Sequence, residues 1–305
     1  DICRSLAATA AAPASAPASN SGFTAFLNSP RLRIGSTHTA YLKLSEGCSN
    51  ACRFCSIPLI RGKQVSRPME DILAESRTLV ASGAREICLI AQDTTSYGKD
   101  LYGSFRVAEL LRALKDTGPG AWFRMMYAFP RYLSDEILET LASQPHLCPY
   151  IDLPLQHIAD PMLRSMGRGM TRAETIALLD RIAARLPDGA LRTAFIVGHP
   201  GETEDHFREL LEFVKEGRFT HAGVFTYSPE PGTPAARLAD DVPPAEKEDR
   251  RRELMLAQLE VSRRRLARRV GRTETVMLDG FVEKGAEVPP GVVAFGRTRL
   301  EAPEV

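Results

Sequence analysis

The sequence predicts an α/β fold in which parallel strands close, fully or in part, into a barrel. Short apolar runs recur along the chain, segments rich in helix formers separate them, and polar sequences sit just after several of the runs. Strands joined by helical crossovers imply a parallel sheet, because each crossover returns the chain to the same end of the next strand.

Each element has its own signal. Strands are predicted at 40–44 (AYLKL), 86–91 (EICLIA), 121–127 (AWFRMMY), 150–155 (YIDLPL), 192–198 (RTAFIVG) and 221–227 (HAGVFTY), as short apolar runs bounded by turn residues. Helices are predicted over 69–82, 107–116, 134–143, 172–185 and 204–216. Pro68 stands at a helix start, and Gly83 and Gly217 stand just past helix ends, where a ring-fixed φ and a left-handed residue are respectively favoured. Polar sequences follow the second strand (QDTTSYG), the fourth (QH), the fifth (GHPGET) and the sixth (SPEPGTP). In such a barrel one mouth collects them all.

Residues 1–37 read as a tail or linker, rich in Ala, Pro and Ser in its first part and poor in side chains that a core would bury. With no initiating Met, and no basic segment followed by a long apolar one, a secretory signal is not expected and the chain is read as cut at its front. Beyond the barrel at 38–242, residues 243–270 read as one long helix, with Met255, Leu259, Leu266 and Val270 on a stripe expected to pack on the barrel. Residues 271–305 read as short strands and turns that stop abruptly.

The 305 residues are 44% hydrophobic and 25% charged, with a formal net charge of +1 and no apolar run long enough to span a bilayer. Near-neutral charge argues neither for nor against nucleic acid. Phosphate loops of the GxxxxGK[ST] type, HExxH zinc helices and GxSxG nucleophile elbows are all absent. Three of the six cysteines, Cys48, Cys52 and Cys55, fall within eight residues just after the first strand. They are too close together to staple a fold, and Cys3, Cys88 and Cys148 stand alone, which suggests a reducing, cytoplasmic setting. Three thiolates can hold three corners of a four-iron cube and leave the fourth iron open. A structural zinc site would need a fourth donor, from His38, Cys88 or Cys148, and a Cys52/Cys55 redox dithiol is the remaining alternative.

The CxxxCxxC of Cys48, Cys52 and Cys55 after a first barrel strand resembles the radical S-adenosylmethionine (SAM) enzymes. That resemblance implies a partial (β/α)6 barrel with a [4Fe-4S] cluster. Its open iron is bound by the amino and carboxylate groups of SAM, and one electron breaks the sulfonium bond to give a 5′-deoxyadenosyl radical. The segments YLKLSEGC, IRGKQVSRP, IAQDTTSYGKDLYG, WFRMMYAFP, YIDLPLQH, FIVGHPGET and TYSPEPGTPAA resemble the methylthiotransferases over about residues 40–272. They are closest to the branch that modifies an aspartate of small-subunit ribosomal protein twelve. The branch acting on adenosine in transfer RNA typically has QN at Gln92 and Asp93, and Gln-Ser at Gln156 and His157, so these positions favour the protein-modifying branch.

The same resemblance implies that residues 271–305 begin a small β-barrel (TRAM-like) domain. It also implies that complete members carry a second cluster on an N-terminal domain. Only Cys3 precedes the motif here, so SAM cleavage without sulfur insertion is expected of this chain. Implied partners are the ribosomal protein, an electron donor protein and no membrane. The run Arg263, Arg264, Arg265, Arg268, Arg269 and Arg272, with no intervening acid, either complements the helix dipole or docks on ribosomal RNA.

Site residues carry two readings each. By the resemblance, Phe54 packs over adenine, Gln92 with Asp93 beside it binds the amino acid moiety of SAM, and Gln156 with His157 faces ribose or substrate. Otherwise these are a hydrophobic contact, turn residues and a structural histidine. The run from Gly198 to Thr203, including Glu202, is read as an adenine-side binding turn, with Thr203 capping the next helix and His206 offering no capping-box carboxylate. His199 stands where the family usually has Phe. Arg61 and Arg67 either bind a carboxylate or are solvated.

Overall fold

The computed structural model describes residues 36–282, 285, 287–289 and 291–303. Of the tail expected over 1–37, all but Ser36 and Thr37 lies outside the described residues. The chain enters β1 (Thr39–Lys43), makes a small antiparallel pair of β2 (Ser45–Glu46) and β3 (Val65–Ser66) around α1 (Ile57–Arg61), and continues into α2 (Met69–Ala81) and β4 (Glu86–Ile90). Next come α3 (Lys99–Tyr102), α4 (Val107–Ala113), β5 (Trp122–Met125), α5 (Asp135–Ser143) and β6 (Tyr150–Asp152). They are followed by α6 (Asp160–Met166), α7 (Arg172–Arg185), β7 (Ala190–Val197), α8 (Glu204–Lys215) and β8 (His221–Thr226). A long α9 (Pro244–Ala267) and a hairpin of β9 (Met277–Phe281) and β10 (Ala294–Arg297) complete the order.

Parallel ladders join β1 to β4 to β5, and β6 to β7 to β8. A parallel bridge between Phe123 and Leu147 links the two halves, and the Cys148 N–H donates to the Phe123 carbonyl at 2.8 Å. The six parallel strands therefore follow one another in chain order, β1, β4, β5, β6, β7 and β8, as short connections favour. Among the described residues no ladder closes β8 onto β1, so the barrel is partial, as predicted. The six apolar runs are the six parallel strands, with ends shifted by at most three residues.

The core lies between strands and helices. Leu89, Phe123 and Phe195 of the strands are fully buried, as are Leu110, Leu138 and Leu210 of the helices. Each such side chain contributes roughly 1.5–3 kcal/mol. Local signals fix where the helices begin: the Ser134 side chain accepts from the Ile137 N–H, and Thr171 forms a capping box with Glu174. At α8 the expectation is corrected. Thr203 does form a capping box, because His206 Nδ1 accepts from the Thr203 N–H at 3.2 Å in place of a carboxylate.

One further expectation is corrected behind the barrel. The stripe of Met255, Leu259, Leu266 and Val270 is exposed, and α9 instead packs through Lys247, Arg250, Leu254, Gln258 and Val261. Three of these five are polar, which hid the period. Gln258 donates to the Phe219 and Thr220 carbonyls at 3.3 and 3.4 Å, and Lys247 is ion-paired with Asp240 at 2.5 Å. The hairpin of β9 and β10 is anchored to the barrel. Arg297 pairs with the buried Glu86 at 2.7 Å, His38 meets Asp279 at 2.9 Å, and the Arg299 carbonyl accepts from Arg124 at 2.9 Å, seating the hairpin at the N-terminal ends of the strands.

Candidate active site

At the opposite end of the strands, Cys48, Cys52 and Cys55 line a cavity of about 150 Å³. The loop that carries them is gripped on both sides. The Cys48 N–H donates to the Gly62 carbonyl at 3.1 Å, the Arg53 N–H to Met166 at 2.9 Å, and the Arg53 carbonyl accepts from Ala235 at 2.9 Å. The last bond explains the PGTPAA segment: it buttresses the cysteine loop. All three thiols are half-buried. Burial pushes the Cys48 and Cys55 thiols up, with a smaller upward push on Cys48 from the Asp93 carboxylate.

The residues considered as a fourth zinc donor lie elsewhere. His38 is tied to Asp279, and Cys88 and Cys148 are buried beside Tyr150 and Ala302, where burial pushes both thiols up. Among the described residues no three of His, Cys, Asp or Glu converge as a mononuclear ion would require. A cubane asks for less convergence, because each thiolate takes its own iron.

Phe54, Gln92 and Gln156 line the same cavity as the cysteines. Gln92 donates from Nε2 to Glu46 at 3.2 Å, while its buried Oε1 has no partner among the described residues. Gln156 adopts φ 75° and Tyr127, also in the lining, φ 57°. Left-handed backbone costs a side-chain-bearing residue on the order of 1–3 kcal/mol and persists where surrounding contacts over-determine it. Here Gln156 is pinned on both sides, donating to Ala194 and accepting from Ile196, each at 2.8 Å.

Asp93, Gly198 and Glu202 lie outside the residues that line this cavity. Asp93 is a buried turn residue, accepting from the Thr95 N–H at 3.0 Å and the Thr95 hydroxyl at 2.6 Å. It also holds Asn50 at 2.8 Å, and Asn50 lies 3.5 Å from the Cys48 sulfur, so Asp93 bears on the site indirectly. Glu202 is turned inward, meeting His157 Nε2 at 3.0 Å, the Gly198 N–H at 2.5 Å and Arg250 at 2.7 Å. His157 is accordingly a satisfied structural histidine. Gly198 has φ 71°, and a Cβ there would fall inside the Lys247 side chain, so the absence of a side chain lets α9 approach closely. Replacing Gly198 by Ala is expected to cost about 1–3 kcal/mol of stability, read as a lower midpoint in urea.

His199 is buried and neutral, its imidazole pushed down by burial, and stacks edge-on with Tyr227 at 5.1 Å, filling an aromatic position. Arg67 is buried and bound to the Lys43 carbonyl at 2.8 Å and Glu75 at 2.6 Å, so it is neither solvated nor directed at the cavity. Arg61 is exposed, 3.5 Å from Glu46.

Sequence reasoning missed Arg168. It is buried, lines the cavity and donates from Nη1 to the Cys52 sulfur at 3.1 Å. The glycines on either side of it, Gly167 and Gly169, both left-handed, were the available signal.

Comparison with known proteins supplies the family. The radical SAM superfamily profile matches residues 42–214. A protein named ribosomal protein uS12 methylthiotransferase RimO from Geobacter sulfurreducens is 46% identical over 275 residues, covering 90% of this chain and 60% of that protein. One of the same name from Synechococcus is 48% identical over 283 residues, covering 93% and 57%. The chain thus spans about 60% of the length of the curated relatives it matches. Among solved structures, the coproporphyrinogen III oxidase HemN of Escherichia coli, described as a radical SAM enzyme, superposes with a TM-score of 0.56 at 18% identity, covering 79% of this chain and 56% of that one. The methyltransferase TsrM of Kitasatospora setae gives 0.54 at 18%, covering 65% and 38%. These two likenesses concern the fold alone.

Proposed function

The chain belongs to the radical SAM superfamily, and from that premise we propose that it is the SAM-cleaving barrel of an enzyme that methylthiolates the β-carbon of an aspartate in ribosomal protein uS12. The observation that carries this reading is the set of three thiols, Cys48, Cys52 and Cys55, on the wall of one cavity. They fit a [4Fe-4S] cluster with one iron left for SAM, since among the described residues no fourth Cys or His lines the cavity. When bound, the cluster supplies the single electron that breaks SAM's sulfonium bond, and the resulting carbon radical can attack an unactivated C–H bond that acid-base chemistry cannot open.

The chain's own residues bind and orient. The buried Oε1 of Gln92, without a partner among the described residues, is placed to accept a hydrogen bond from an N–H of the iron-bound amino group of SAM, and Phe54 and Phe129 offer apolar faces to adenine and keep water out. Gln156, held in its left-handed turn, presents its amide to ribose or substrate. Substrate choice rests on the relatives named uS12 methylthiotransferase. An electron donor protein supplies the electron, in a reducing cytoplasm suited to the free Cys88 and Cys148. No helix of the described residues is long and apolar enough to cross a membrane. Of the six arginines at the end of α9, Arg265 binds the Gly217 and Arg218 carbonyls, Arg269 pairs with Glu274 and Glu301, and Arg272 with Asp188. The exposed Arg263, Arg264 and Arg268 remain for contact with ribosomal RNA.

Anaerobic reconstitution should yield about four irons and four sulfides per chain and 5′-deoxyadenosine on reduction with SAM. Stoichiometric zinc would refute the cluster. Mass spectrometry of uS12 and transfer RNA from a strain lacking the gene should find the aspartate unmodified. Loss of an adenosine methylthio group, with uS12 unchanged, would move the substrate to RNA.

A further inference from the structure

We propose that Arg168 is a positioning residue that raises the reduction potential of the cluster by donating a charged hydrogen bond to the Cys52 ligand sulfur; this rests on the cluster reading above. Three features converge on that bond. The first is the backbone that delivers it: α6 ends at Gly167, with φ 69°, where a Cβ would lie 2.7 Å from the Ala51 carbonyl oxygen. Only a glycine lets the helix end dock this closely on the cysteine loop, and the Arg53 N–H seals the contact through Met166. The next residue is therefore carried directly over Cys52.

The second feature is how tightly the guanidinium is held. Arg168 is 7% exposed, its Nη2 donates to the Pro154 carbonyl at 2.5 Å, and its Cζ lies 4.5 Å from the Phe129 ring centre. Its Nη1 donates to the Cys52 sulfur at 3.1 Å. A flexible surface arginine would choose its partners; this one has them fixed.

The third feature is a missing counter-ion. Among the described residues no carboxylate pairs with Arg168, and its buried Nε has no partner. A buried cation without an anion is costly, whereas ligand thiolates would supply the opposite charge. Reduction adds one electron, from the low-potential donor, and so one negative charge to the cluster. A fixed cation at a ligand sulfur favours the more negative state, and a hydrogen bond to that sulfur acts in the same direction. No bond is made or broken at Arg168 itself.

The test uses the full chain, reconstituted anaerobically, as wild type, Arg168→Gln and Arg168→Lys, with the midpoint measured by redox titration followed by electron paramagnetic resonance in the absence of SAM. Because the bond to Cys52 strengthens as the cluster gains negative charge, its loss in Arg168→Gln should lower the ratio of reduced to oxidised cluster about tenfold at fixed poise, or about 59 mV for one electron. The Lys variant should fall between, because one ammonium cannot hold both Pro154 and Cys52. Unchanged midpoints with intact iron content overturn the proposal. So does weakened SAM binding with an unchanged midpoint, which would make Arg168 a SAM ligand. If the Gln variant does not retain iron, the Lys variant decides: its midpoint must lie below wild type. Failure of the wild type to assemble a cluster would instead overturn the cluster reading.

Discussion

Replacing Cys48, Cys52 or Cys55 by Ala should abolish cluster assembly and 5′-deoxyadenosine formation together. Each thiolate is expected to hold its own iron, and among the described residues no other Cys or His lines the cavity to substitute for a lost ligand. Folding should survive. All three side chains are half-buried in a loop anchored by backbone bonds at Cys48, Arg53 and Ala235, so removing one sulfur deletes little core packing. Iron and sulfide content with visible absorbance reads the cluster, chromatography reads the nucleoside, and far-ultraviolet circular dichroism reads the fold. The single variants should lose the first two and keep the third. Normal nucleoside formation by the triple variant would sink the assignment.

Not every part of this structure was equally legible in the sequence. The parallel strands announced themselves because both sheet faces are covered, which makes β4 (EICLI) and β7 (ALRTAFIV) nearly continuous apolar runs. The cysteine triad was legible because its spacing is local. What failed were features that depend on partners distant in sequence. The buried face of α9 contains Lys247, Arg250 and Gln258, whose burial makes sense only beside Asp240, Glu202 and the carbonyls of Phe219 and Thr220. An apolar-periodicity reading selects Met255 and Leu259 instead, and these are exposed.

The same limit applies at the site. Gln92 and Gln156 were found because each follows a strand end, where barrel chemistry collects. Arg168 follows a helix end, and its role depends on Cys52, 116 positions away in sequence. At Glu202, what the sequence did not reveal is that the buried His157 and Arg250, 45 and 48 positions away, hold its carboxylate.

That network carries the second large expected effect. Glu202 is 4% exposed, and its carboxylate oxygens serve His157, the Gly198 N–H and Arg250, while its backbone carbonyl takes a further bond from Arg250 at 3.0 Å. Replacing Glu202 by Gln keeps the shape but leaves Arg250 with Glu246 and the more distant Glu204, at 3.8 Å, as its remaining carboxylates. Breaking a buried pair from one side costs about 3–5 kcal/mol, and this partial compensation puts the expected loss near 3 kcal/mol. At 2–4 °C per kcal/mol for a domain of this size, the melting temperature at pH 7 should fall by roughly 6–12 °C.

The pH dependence gives an independent check. Burial pushes the Glu202 carboxyl up, but His157, the Gly198 N–H and the Arg250 guanidinium outweigh it and hold the group below the usual carboxylate range. A carboxylate depressed in the folded state adds stability above its unfolded value, about 4.3, and that stability disappears as pH falls through the lower folded value. The wild type should therefore lose stability more steeply than Glu202→Gln as pH drops below about 4.3, and the two melting curves should converge there. Differential scanning calorimetry of both proteins between neutral and acid pH measures this. A difference in melting temperature that stays constant down to the lowest pH would show that Glu202 stabilises the fold by shape and not by charge. Arg250→Met alone and combined with Glu202→Gln then apportions the pair: the double variant should be less destabilised than the sum of the single ones, because the second substitution removes the charge that the first leaves poorly compensated.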